Sequence, residues 1–159
     1  MLRYDIRKKG NKHCKGNKNI IRKNYTKMNK EELSFLKTQL VGLDIKKIDI
    51  TDHALEKNLL FKNEVKKILK NKDYKIIDYN YNLKTKEERI LIRSREEYLI
   101  KNHKGEKEKA YIKIVISVTK NMIITQWANS TEGEKQKNNN CITNYIDNFD
   151  IINKKIKFK

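Results

Sequence analysis

The chain has 159 residues, and its 38 Lys and Arg against 20 Asp and Glu give a formal net charge of +18. That length holds one domain with a real core and is too short for two ordinary ones. With 37% hydrophobic and 36% charged residues, the core belongs to roughly 110–130 residues and a polar extension lies outside it. No stretch approaches the ~20 apolar residues of a membrane helix, and the two cysteines, Cys14 and Cys141, form neither a disulfide framework nor a zinc spacing.

Residues 1–28 read as a basic arm. Eleven of the first thirty residues are Lys or Arg and only Asp5 opposes them, a density of like charge that must face water or a polyanion. Arg7, Lys8, Lys9, Arg22 and Lys23 are its candidate phosphate contacts. Ile20, Ile21 and Tyr25 are its only apolar anchors, so the arm is expected to be mobile in isolation. His13-Cys14 has no second CxxC or HxxxH near it, and no metal or other cofactor is expected. The opening MLRYDIRKKG lacks the apolar run of a signal peptide, which sets the expectation of a cytoplasmic protein with reduced thiols. The codon bias of an AT-rich genome accounts for part of the lysine, but it would raise Asp and Glu almost as readily.

Residues 29–159 are expected to form a single α+β domain. Asn29 and Glu32 make a reciprocal capping pair ahead of Leu33, Leu36 and Leu40, and Gly42 supplies a stop, which predicts a helix over 29–42. Residues 43–50 alternate weakly, as a short strand or an extended linker would. Over 51–71 the pattern is a pair of short helices, the first capped by Thr51 or Asp52 and the second by Asn63. From Tyr74 the period changes to two, and strands are predicted over 74–81, 89–95, 110–119 and 122–127. Lys120-Asn121 reads as a two-residue hairpin turn, and 96–109 as a long charged loop. Within 130–159 we expect a loop, a short helix over 142–149, and a terminal strand or basic tail over 150–158. The resulting fold class is α+β: N-terminal helices packed on a four-stranded antiparallel meander sheet spanning 74–127, carrying the basic arm. The helices cover one face of that sheet and leave the other open.

Strand alternation decides which groups share the open face. If Ile90 and Ile92 join Ile112, Ile114 and Ile116 in the core, then Arg89, Arg93, Arg95 and Lys113 lie together on the opposite side. Guanidinium forks match phosphate oxygens bidentately, so this face suits a sugar–phosphate backbone. The alternative is a solvated face paired with Glu96 and Glu97. Aromatic rings interleave with these charges, and Tyr79, Tyr81 and Trp127 are the candidates for base stacking; the same rings suit a core or its rim. His53 opens a helix, where a neutral imidazole is able to accept a proton near pH 7. Together with Lys57 and Arg93 it would supply the base, acid and cation of metal-independent RNA cleavage, and a helix-start His is equally a structural residue.

The run Thr51-Asp52-His53-Ala54-Leu55-Glu56-Lys57, followed by Phe61-Lys62-Asn63-Glu64-Val65 and by Ile123-Ile124-Thr125-Gln126-Trp127, resembles small mobile-element proteins grouped with the barnase–EndoU–colicin–RelE superfamily of ribonucleases and toxins. The resemblance spans about half the chain. It implies a His-Ala helix, a second helix and a four-stranded sheet holding RNA across its open face, in a bacterial host cell. The leading reading is therefore an RNA-directed domain, as a metal-independent ribonuclease or toxin of a phage or other mobile element. The alternative is a non-catalytic phage or plasmid inhibitor that blocks a host nucleoprotein complex. A basic DNA-binding regulator comes third, because the two short helices lack a convincing recognition helix. The expected partners are RNA, such a complex or an acidic neutralising protein, and no membrane.

Overall fold

β-branched residues at a period of two dominate the second half of the chain, and its backbone pairs accordingly. A computed structural model describes residues 11–12, 19–57, 61–102, 104–130, 145–146 and 149–154. Among them are ten strands: β1 (Asn11–Lys12), β2 (Ile20–Asn24), β3 (Asp49–Ile50), β4 (Tyr74–Asn82), β5 (Glu88–Ser94), β6 (Tyr98–Asn102), β7 (Lys107–Ser117), β8 (Met122–Ser130), β9 (Tyr145–Ile146) and β10 (Phe149–Lys154). The helices are α1 (Lys30–Val41), α2 (Asp52–Lys57) and α3 (Phe61–Lys70). None of these helices is long and apolar enough to cross a membrane.

The helices form where the sequence signals them. Asn29 Oδ1 accepts from the Glu32 amide at 2.8 Å and Glu32 Oε1 accepts from the Asn29 amide at 3.0 Å, closing the capping box that starts α1. Thr51 caps α2, its Oγ1 accepting from the Ala54 amide at 3.1 Å. Because α3 begins at Phe61, Asn63 lies inside its first turn instead of capping it. Leu36, Leu40, Ala54, Val65, Ile68 and Leu69 are all buried in one core with the isoleucines of the sheet.

The sheet is wider than the expected meander, and the α+β description is corrected: the molecule is mostly β. One path of seven strands runs β1-β2-β4-β5-β7-β6-β10, and β8 on the other edge of β7 adds β3 and β9. The β3–β8 pair is parallel, which makes the sheet mixed. Most of the extra strands are short and flanked by charge, which hydrophobic periodicity flags poorly, although β6 carries two buried side chains, Tyr98 and Ile100. Backbone N–H and C=O groups pair regardless of side chain, and an edge strand needs little apolar surface. Thus Ile20–Asn24, assigned to the arm, pairs along β4. The expected loop over 96–109 holds β6 and the first turn of the ladder of β7, with Leu99 opposite Lys109 and Lys101 opposite Lys107. Of the expected helix over 142–149, Tyr145–Ile146 form β9 and Phe149 begins β10, while 142–144 and 147–148 lie outside the described residues. The connection after β7 spans residues 118–121, longer than a two-residue hairpin, with Asn121 left-handed at φ 53°.

Two devices shape this sheet. In β4, Ile76 faces Ile92 but Asp78 already faces Leu91, so Ile77 is a one-residue bulge. A bulge reverses which face every later side chain takes. The second device is closure. β9 pairs with the outer edge of β8 and β10 with the outer edge of β6, yet only residues 147 and 148 separate them. In a flat sheet those edges would be four strand spacings apart, ~19 Å, while three residue steps reach at most ~11 Å. The β8–β7–β6 region must therefore curl, and Tyr98, Ile100, Ala110 and Ala128 are buried within it.

Candidate nucleic-acid interface

β5 and β7 separate their side chains cleanly by face. Ile90, Ile92, Ile112, Ile114 and Ile116 are fully buried toward the helices, and Arg89, Leu91, Arg93, Tyr111, Lys113 and Val115 take the opposite side. None of α1, α2 and α3 packs on that side, but it is not bare: Asp78, Trp127 and Asn129, which share it, are buried, and Arg89, Leu91, Arg93, Tyr111, Lys113 and Val115 are half-buried. Its most distinctive feature is a row of cations in direct register. Lys75 of β4 stands opposite Arg93 of β5, and Arg93 stands opposite Lys113 of β7. Like charges placed directly opposite one another destabilise a sheet. Two of the three also rest on aromatic rings: Lys75 Nζ lies 4.2 Å from the Tyr25 ring centroid, and the Arg93 guanidinium carbon lies 4.0 Å from that of Tyr111. Such contacts hold a cation in place without neutralising it.

The bulge at Ile77 puts an acid on the same face. Asp78 sits with Arg22 Nε 3.8 Å from its Oδ2 and its side chain only 8% exposed, and both its Oδ1 and Arg22 Nε lack a hydrogen-bond partner. Burial pushes the Asp78 carboxyl up to about 6, against the opposing pull of Arg22, Asn24 and Lys113; burial likewise holds Arg22 below its ordinary value. An acid whose folded value exceeds its unfolded one keeps full stability below the unfolded value and loses it as pH rises through the folded one. With the ordinary value at 3.8, ionised Asp78 costs about 1–3 kcal/mol near neutrality. Asp78→Asn is therefore expected to raise the urea-unfolding free energy by about that much near pH 7, and to change it little near pH 4.

The residues singled out from sequence fall into three groups. Arg89, Arg93 and Lys113 do converge on one face, although Arg89 is engaged by Glu87 at 3.1 Å. Arg22 joins them there through β2, opposite Asn80. Arg95 does not, because β5 ends at Ser94; its Nε donates to the Tyr74 carbonyl at 3.0 Å at the start of β4.

A second group turns inward. Lys23, expected to contact phosphate, is 3% exposed and donates to both oxygens of Glu32 at 2.8 and 3.0 Å. Tyr79 and Tyr81, expected to stack bases, are core residues at 1% and 7% exposure, and the Tyr79 hydroxyl donates to Glu88 at 2.5 Å. Simple alternation from Ile76 would have placed both rings outside, and the bulge reverses them. Trp127 is buried too, but on the other side of the sheet: it stands opposite Lys113, and its indole N–H donates to Asn129 Oδ1 at 2.8 Å.

The third group lies elsewhere. His53 is exposed on α2, which packs on the helix side of β8 through Gln126 Nε2 donating to the Ala54 carbonyl at 3.2 Å. Gln126 stands opposite Ile114 on the core face. His53 and Arg93 are therefore on opposite sides of the sheet, and the structure does not bring the expected catalytic groups together. Lys57 is the last residue of α2. Arg7, Lys8 and Lys9 lie outside the described residues, as do Cys14, His103 and Cys141. Among the described residues no group of three or more His, Cys, Asp or Glu is placed to hold a metal ion.

Sequence reasoning missed Lys75 and Asp78; it counted Tyr111 among the rings interleaved with the charges and Tyr25 as an anchor of the arm, without giving either a cation to carry. A cross-strand register would have found Lys75, but alternation within one strand does not say which residue of the next strand stands opposite. No protein-family description, curated protein or solved structure matches the chain.

Proposed function

We propose that the chain is an RNA-binding domain that holds the phosphate backbone across the open face of its sheet. The observation that carries this reading is the Lys75–Arg93–Lys113 row, three cations in register on adjacent strands. Like charges in register cost the sheet stability, whereas an anion bridging them turns the repulsion into binding. Among the described residues α1, α2 and α3 sit on the other side of the sheet, so none of them offers a recognition helix on this face to a DNA major groove. That favours RNA over a DNA regulator. The reading is of binding without cleavage, since His53 does not share the face with Arg93.

The test is a salt series of fluorescence anisotropy with a labelled single-stranded RNA of mixed sequence. Each phosphate contact contributes about 0.7 to the slope of log K against log salt for single strands. Arg93→Gln is expected to reduce the slope by about that amount and to weaken binding about fivefold at ~0.1 M salt. Wild-type protein that shows no salt-dependent binding would overturn the reading, and cleavage of the RNA would overturn its restriction to binding.

A further inference from the structure

Independently of any RNA, we infer that Asp78 is a proton-controlled latch on the docking of β2 against β4, firm when the carboxyl is neutral and looser when it is ionised. The ion pair at its centre is poorly made. Arg22 Nε stands 3.8 Å from Asp78 Oδ2, beyond hydrogen-bond reach, and both Arg22 Nε and Asp78 Oδ1 are buried atoms without a hydrogen-bond partner. A carboxylate placed there has lost its water and gained too few hydrogen bonds in return, whereas a neutral carboxyl loses much less. Register sets this acid against β2. Asn24 stands directly opposite Asp78, and Arg22 is opposite Asn80, two residues on. Lifting β2 from β4 takes both partners away and lets water reach Asp78, so an ionised Asp78 favours that opening. The basic residues before Ile20 are joined to the strand that opens.

The surrounding charges do not cancel the effect. On β5 Asp78 faces Leu91, with Arg89 and Arg93 to either side, and beyond β5 Lys113 belongs to β7. Lys75 precedes it on β4, and Tyr25 and Lys27 follow β2 in a 3-10 turn. Arg22, Asn24 and Lys113 pull the carboxyl down, but burial outweighs them and pushes it from an ordinary 3.8 up to about 6. The closed strand therefore holds the proton more tightly than the open one. Its extra hold is complete below the ordinary value and is lost as pH rises through about 6. On the core side Lys23 still ties β2 to Glu32 of α1, so the proton shifts an opening equilibrium and does not by itself detach the strand.

Native-state hydrogen exchange at about pH 5 and about pH 7.5, corrected for the intrinsic pH dependence of exchange, tests the latch. The β2 amides are expected to open ahead of those of β5 and β7, and to lose about tenfold in protection between the two conditions, the size that values of 3.8 and about 6 give. Asp78→Asn, nearly isosteric and unable to ionise, is expected to abolish that loss. Arg22→Gln is expected to move its midpoint to higher pH, because it removes a charge that favours the ionised form. Protection of β2 that stays constant while that of β5 and β7 changes would mean that Asp78 senses only global unfolding, and would overturn the latch. So would a tenfold loss that persists in Asp78→Asn. A carbon-13 titration of the Asp78 carboxyl in the wild-type protein needs no substitution: a midpoint near 6 is expected, and one near the ordinary carboxylate value would overturn the proposal.

Discussion

Glu32→Gln is expected to destabilise the protein by about 3–5 kcal/mol, the range for breaking a buried ion pair from one side. Glu32 and Lys23 are 2% and 3% exposed and joined by two hydrogen bonds of 2.8 and 3.0 Å. Gln is nearly isosteric and its Oε1 still accepts from the Asn29 amide, so the capping box of α1 survives. What is lost is the charge opposite Lys23, which leaves an ammonium in the core facing a neutral amide. The pair is also the link between β2 and α1, across the face on which Tyr79 donates to Glu88. Its loss is therefore felt by the attachment of the N-terminal strands to the sheet. A urea titration reads the effect as a lower midpoint at unchanged slope. The double replacement Lys23→Met with Glu32→Leu is expected to recover most of the loss, since removing both charges removes the desolvation cost with them. A single variant that loses less than about 1 kcal/mol would mean that water reaches the pair.

Lys23 shows where the sequence misled. It sits among ten other cations in the first thirty residues, and a charge run is read as one object. Strand alternation ignores that run: Arg22 and Asn24 face outward, and Lys23 between them faces in, opposite Tyr79. Its partner Glu32 was identified, but for its capping role alone. The isoleucines of β5 and β7 were legible because a period of two is all that a strand with one buried face needs. So was α1, whose capping box satisfies otherwise orphaned amides with local chemistry. Tyr79 and Tyr81 were not, because one extra residue at Ile77 inverts everything after it and leaves no mark in composition. β6 and β10 were not, because they are only five and six residues long and sit among charged residues. The basic face thus stood on the legible part, through Arg89, Arg93 and Lys113. The ring–cation contacts at Tyr25 and Tyr111 depended on three-dimensional geometry throughout.

Replacing Lys75, Arg93 and Lys113 together by Gln is expected to weaken RNA binding about a hundredfold at ~0.1 M salt. Three phosphate contacts at about 0.7 each give a combined salt exponent near 2, and the affinity they supply fades as salt approaches ~1 M. The wild-type and triple-variant curves should converge there. The same substitutions act on folding with the opposite sign. Lys75 against Arg93 and Arg93 against Lys113 are two like-charge pairs in register, each a cost of a few tenths of a kcal/mol to about 1. Relieving both is offset in part by the loss of the stacks on Tyr25 and Tyr111. Stability is therefore expected to stay level or rise slightly, by no more than about 1 kcal/mol. A solvated face with no ligand predicts no change in affinity, and a structural network predicts a loss in stability. Affinity that falls a hundredfold beside undiminished stability is the signature of cations kept for a partner, and a variant that binds like wild type across the salt series would show that the row serves none.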